Sequence, residues 1–336
     1  MNTKSQKYSF VHIGKELDKT DNIITDINTQ VYPGTSFGEP LKGVPTGFPD
    51  IDASISGLQS GLTVIAARPS LYIPDFVNSV IFRNCIRDKK SVLYLSLTPA
   101  RERITERLLF SSAYVSIGTA YDGLLSEQIL DRLKDSRKSL KPLEDRLFIP
   151  DKISSFQEFQ ELCQELKKEK DICLSIIDNF QELVRLNEVS SNLDRAEETA
   201  RSLEELSHEI QLPILLFSEV NSSCSSPKRK RSSLSITDLK NCEALYNRAR
   251  PTLLFSIEYQ EGEEEVIEDR DALPIIVKIE NNINHSLSPI FLTYLSPYGR
   301  FESAAKVCLD ESCLDEKDKT KRQDIILEDA PNPQIV

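Results

Sequence analysis

Residues 61–76, GLTVIAARPSLYIPDF, follow the order in which a phosphate-binding loop is built: strand, tight turn, helix. Thr63 to Ala67 read as a buried β-strand, and Asp75 to Ile86 carry Phe76, Val77, Val80, Ile81 and Ile86 at helical spacing. A loop that cradles phosphate needs glycine for close approach, lysine for charge and a hydroxyl for Mg²⁺. The turn here carries Arg68, Ser70, Tyr72, Ile73 and Pro74 instead. Tyr72 is bulky and adopts positive φ less cheaply than glycine. Ile73 has no charge, so a charged hydrogen bond of roughly 1.5–3 kcal/mol is absent. Pro74 has no N–H, although it suits a first helical turn. Asp75 places a carboxylate that favours the helix N-terminus and repels a phosphate.

Two further stretches carry groups of interest. Ile172 to Asp178 is an apolar strand ending in an aspartate, a position that serves either a Mg²⁺ water shell or a helix cap and turn. Lys228, Arg229, Lys230 and Arg231 form a basic run among serines and a proline. Such a run reads as a solvated loop, a grip on single-stranded DNA phosphates, or a short partner or targeting signal.

The order and wording of these segments carry a resemblance. Gly43-Val-Pro-Thr-Gly-Phe-Pro-Asp-Ile-Asp52, the Gly57-to-Gly61 turn, Ala66 to Ser70, the Asp178 strand and Thr237-Asp-Leu-Lys240 resemble the ATPase domain of DnaB-type bacterial replicative helicases. The similarity covers about residues 8–301. It implies an α/β, RecA-like P-loop NTPase fold, with a mostly parallel central sheet flanked by helices and a short N-terminal linker helix. It also implies ATP-driven 5′-to-3′ unwinding, and here the matching residues depart. The loop's glycine, lysine and threonine become Tyr72, Ile73 and Pro74, and the water-activating glutamate becomes Thr98, which is no general base at neutral pH. The phosphate-sensing glutamine becomes Glu219, and the arginine that reaches a neighbour's ATP becomes Glu280. Arg248 and Arg250 replace acids and reverse the local field. Asp178 remains as a remnant of the Walker B segment.

Composition bounds the reading. The chain has 336 residues and a formal net charge of −12, which argues mildly against strong non-specific nucleic-acid binding. Its apolar runs are far short of a membrane span and no signal-type segment follows Met1, so the expectation is a cytoplasmic protein with no membrane association. Seven scattered cysteines and three histidines fit a reducing compartment and no metal site.

The positioning elements follow in order. Residues 1–42 hold a helix over 8–28 and a loop; the helix resembles the family's linker, which packs on a neighbouring subunit, or else it folds back on its own domain. On this reading the family's primase-contacting N-terminal domain is expected to be missing. Residues 43–301 form the helicase-type domain with a degenerate ATP site, in which Arg101, Arg103 and Arg107 read as a solvated helix face. Residues 302–336 form an acidic tail. The expected function is that of a catalytically inactive helicase paralogue, a scaffold or regulator of DNA replication that self-associates or joins a replicative helicase and contacts protein partners or single-stranded DNA. No cofactor is expected. An active but divergent helicase, with ATP and Mg²⁺, is the alternative.

Overall fold

The computed structural model describes residues 41–304 other than 69–70, 98–100, 123–125, 188–191, 226–233, 259–270 and 281–287. The linker helix over 8–28, the acidic tail beyond residue 304, Ser70, Thr98 and the basic run at 228–231 therefore lie outside the described residues; the first residues of the expected tail, Glu302 and Ser303, belong to the last strand.

The strands are β1 (Gly61–Ala67), β2 (Ser91–Ser96), β3 (Leu147–Phe148), β4 (Ile172–Asp178), β5 (Pro213–Phe217), β6 (Ala249–Ile257), β7 (Ala272–Glu280), β8 (Ile290–Leu295) and β9 (Arg300–Ser303). They join one sheet in the order β3-β2-β4-β5-β1-β6-β7-β8-β9. From β3 to β6 all pairings are parallel, and from β6 to β9 they are antiparallel. The sheet is thus mostly parallel, as the resemblance implied. The parallel strands are mostly apolar because both faces are covered, with Thr63 and Ser175 among the few buried polar side chains. Along β1, Ile65 faces one core with Tyr94, Ile176 and Leu215, while Val64 and Ala66 face another with Leu95, Ile177 and Leu216. On β7 the pattern changes: Leu273, Ile275 and Val277 are buried while Pro274 and Ile276 are half-exposed.

Helices α1 (Pro49–Ile55) and α2 (Pro74–Ile81) cover the first core. α3 (Arg101–Ala113), α4 (Ile117–Tyr121) and α5 (Glu127–Ser139) follow β2. α6 (Phe156–Lys170), α7 (Phe180–Arg185), α8 (Asn192–Glu209) and α9 (Cys242–Tyr246) cover the second core.

The lead-in segment is fixed by its own chemistry. Asp52 is buried, and its carboxylate accepts from the Thr46 amide and the Thr46 hydroxyl, both at 2.7 Å. Gly43 and Gly57 cross so closely that a Cβ on Gly43 would stand 2.5 Å from the Leu58 carbonyl oxygen.

The helix expected over 75–86 is α-helical only to Ile81 and continues as a π-helical turn, Phe82–Arg87. The side-chain amide of buried Asn84 donates to the Val80 carbonyl at 2.9 Å and to the Pro45 carbonyl at 2.8 Å. It occupies the carbonyl that an α-helical Asn84 N–H would use, which favours the wider turn.

Candidate functional site

The carboxyl ends of β1, β4 and β5 surround a cavity of about 460 Å³. Open α/β sheets place their ligands in this crevice. Arg68, Tyr72, Ile73, Pro74, Asp178 and Glu219 all line it. The structure thus brings together the loop, the strand-end aspartate and the substituted glutamine position.

The loop's backbone decides what the crevice can hold. The Leu71 N–H donates to the Arg68 carbonyl at 3.0 Å, the Asp75 N–H to Tyr72 at 3.2 Å and the Phe76 N–H to Ile73 at 2.8 Å. Pro74 has no N–H. An anion nest works by pointing successive amides at the ligand, and at four of the six positions from 71 to 76 that amide is bonded within the loop or missing. Ile73 is only 8% exposed and packs into the core, at the position from which the family's lysine would reach phosphate.

Asp75 does not act as the sequence suggested. Its carboxylate is fully buried and turned away from the cavity, where it accepts from Arg107 Nε at 2.5 Å, from a second Arg107 nitrogen, and from the Tyr294 hydroxyl at 2.7 Å. The helix draws it inward because these donors satisfy it, so its charge is met by Arg107 and it does not line the cavity. Arg107 is accordingly no solvated residue, and its guanidinium also lies 4.2 Å from the centroid of the Tyr72 ring. Arg103 is exposed as expected.

Asp178 ends β4 and is half-buried. Burial, then the neighbouring Glu219, raise its pKa to about 6. The Tyr94 hydroxyl faces it from the core without closing a hydrogen bond of normal geometry. The capping role suggested for Asp178 belongs to the next residue: the Asn179 side chain accepts from the Glu182 N–H at 3.0 Å and caps α7. The Asn179-x-x-Glu182 spacing carried that signal in the sequence.

Glu219 lines the crevice as expected, but its carboxylate is engaged by Lys240 and by Asn179 Nδ2 at 3.2 Å. Lys240, read from sequence only as part of a motif, therefore belongs to the site. Gln181 escaped the sequence reading altogether. It donates to the Ser218 hydroxyl and the Lys240 carbonyl, both at 3.1 Å, and accepts from the Glu219 N–H at 3.0 Å. Arg68 is 7% exposed and donates to the Cys224 carbonyl at 3.0 Å. The crevice is thus not purely acidic: it holds two acids and two cations, and the cations already have acceptors.

Glu280 accepts from the Ile236 N–H at 2.8 Å and from Lys278 Nζ at 2.5 Å. It pins the segment after residue 233 to β7. Arg248 does not reverse the local field, since it pairs with Glu197 at 2.8 Å and Glu204 at 2.9 Å. Among the described residues no group of three or more His, Cys, Asp or Glu could hold a metal ion, and no helix is long and apolar enough to cross a membrane.

Residues 43–303 match the DnaB-like helicase C terminal domain family. The chain belongs to that family. Among its relatives, the replicative DNA helicase DnaB of Geobacillus stearothermophilus is 24% identical over 287 residues, covering 83% of this chain and 61% of that protein. The replicative DNA helicase DnaB of Rhodothermus marinus is 31% identical over 227 residues, covering 64% of this chain and 23% of that protein. The DnaB-like chain therefore spans less than two thirds of the curated relatives it matches. In fold it is similar to the ATPase domain of G40P, with a TM-score of 0.70, 19% identity, and coverage of 88% of this chain and 100% of the other. It is similar also to a DnaB-like replicative helicase described with its interactions with primase, with a TM-score of 0.69, 18% identity, and coverage of 90% and 69%. DnaB-type domains imply MgATP in this crevice. The groups present do not fit it: the Leu71, Asp75 and Phe76 amides are bonded within the loop, Ile73 brings no charge, Pro74 no N–H, and Glu219 stands beside Asp178.

Proposed function

We propose that this DnaB-like chain is a catalytically inactive relative of the replicative helicases that serves DNA replication as a scaffold or regulator. In this reading it acts by self-association or by joining a replicative helicase, and it contacts protein partners or single-stranded DNA. The observation that carries the reading is the loop at 71–76, where the Leu71, Asp75 and Phe76 amides bond within the loop, Pro74 has none, and Ile73 packs into the core. A phosphate entering the crevice would have to break those turns and meet a site without net positive charge. Calorimetry of the full chain with MgATP tests it, alongside ATP hydrolysis with and without single-stranded DNA. The expected result is neither binding nor turnover. Hydrolysis stimulated by DNA and abolished by Asp178→Asn overturns the proposal.

One observation favours a second reading, an active but divergent helicase using ATP and Mg²⁺. Lys240 and Arg68 line the same cavity as Asp178. If Lys240 left Glu219 for a nucleotide, Lys240→Ala would abolish turnover together with Asp178→Asn. Under the inactive reading, both variants match the wild type in showing none.

A further inference from the structure

At the opposite end of the helical segment that begins at Pro74, the π-helical turn, β9 and the Gly47–Phe48 corner enclose a second recess of about 300 Å³. At 1.5 Å per residue its lining on that segment, Ser79 to Arg87, lies about 8–20 Å along the axis from Pro74. Three arginines line it, Arg83 and Arg87 from the turn and Arg300 from β9, together with one acid, Glu302. Arg83 is tied to Asp88 at 3.1 Å. Arg300 is held from several sides: Nε meets Glu302 at 2.8 Å, a terminal nitrogen donates to the Ser111 carbonyl at 3.1 Å, and the group lies 4.1 Å from the centroid of the Tyr114 ring. Arg87 is exposed and, among the described residues, has neither a hydrogen-bond nor an ion-pair partner for its guanidinium.

The partial negative charge at a helix C-terminus favours one cation here. It does not account for Arg300, which arrives from a separate strand and is locked before any ligand comes. A chain of formal net charge −12 thus keeps arginines in excess over acids in one concave place. Guanidinium forks match phosphate oxygens in pairs. Half-buried Phe82, which packs against the first core, lines the same recess, so an aromatic stands beside the basic groups, the pairing that holds single strands.

We infer that the recess of Arg83, Arg87 and Arg300 binds a nucleotide phosphate, with the base resting against Phe82. The phosphate could belong to a DNA strand or to a free mononucleotide, and the experiment separates the two. The inference extends the single-stranded DNA part of the proposed function without resting on the altered crevice, so it stands even if that crevice hydrolyses ATP. Fluorescence anisotropy of the full chain with labelled oligothymidylate, at low and at physiological salt, forms one arm, and calorimetry with thymidine 5′-monophosphate forms the other. Saturable binding is expected in at least one arm. A strand as the ligand shows as oligonucleotide binding that weakens with salt, and a free nucleotide as monophosphate binding of at least equal strength. Arg87→Glu should weaken the binding about tenfold or more, the loss of one charged phosphate contact, with the melting temperature unchanged. Arg87→Ala should lower the salt slope by about one. Absence of binding in both arms overturns the inference. So does wild-type binding by Arg87→Glu, or loss of binding only when Lys228, Arg229, Lys230 and Arg231 are all changed to Ala.

Discussion

Replacing Arg107 by alanine should destabilise the chain more than any ordinary change on a partly exposed helix face. Asp75 has a fully buried side chain, whereas that of Arg107 is 22% exposed, so the loss is dominated by the carboxylate left behind. Breaking a buried pair by removing one partner costs about 3–5 kcal/mol. The Tyr294 hydroxyl still donates to Asp75, and water can reach the vacated space, which places the expectation near the low end, about 3 kcal/mol. The lost stacking on Tyr72 adds roughly 0.5–1 kcal/mol, for a total of about 3.5–4 kcal/mol. For a domain of this size each kcal/mol moves the melting temperature by about 2–4 °C, so a fall of roughly 7–16 °C is expected by scanning calorimetry at neutral pH. A double-mutant cycle adds the control. Asp75→Asn removes the stranded charge, and the Asp75→Asn, Arg107→Ala double variant should lose clearly less than the two single variants together. A single-variant loss below about 0.5 kcal/mol, or strict additivity in the cycle, would refute the claim that Asp75 is held by Arg107.

Other expectations follow from the same geometry. For Asp178 the folded pKa of about 6 lies above the ordinary 3.8, so ionisation opposes folding: stability falls as pH rises from about 4 to 6, by at most about 3 kcal/mol, and stays lowered above that. Asp178→Asn should therefore raise the melting temperature at pH 7.5 and change it little near pH 4; an equal shift at both values counts against this. Ile73→Lys should lower stability by about 2 kcal/mol or more, because the new charge enters a core position, and urea unfolding measures it. Asn179→Ala should cost about 1 kcal/mol through loss of the α7 cap, whereas Asn179→Asp should largely keep it. Glu280→Ala should speed hydrogen exchange at the Ile236 amide, and unchanged exchange there would show that the contact does not protect it.

The parallel half of the sheet was legible in the sequence because β1, β4 and β5 are predominantly apolar runs between polar turns. The crevice was legible in outline because the strand-turn-helix order and the strand-end Asp178 are local patterns. What local patterns could not show was the destination of each side chain. Asp75 finds Arg107 at a separation of 32 residues and Tyr294 at 219, and no spacing rule links them. The π-helical turn depends on Asn84 meeting Pro45, 39 residues earlier. Arg248 looked like a reversed charge only while Glu197 and Glu204 were out of view. The cap was misplaced by one residue, because an aspartate at a strand end and an asparagine at a helix start carry similar signals and only geometry separates them.

The loop at 71–76 reaches its shape through contacts it makes with itself and with the core. Groups already bonded within the loop and packed into the core leave few contacts for a guest to make or break. Set among subunits that tighten and relax as fuel is spent, a crevice of this kind would stay the same throughout the cycle. It would mark one fixed joint in a moving assembly.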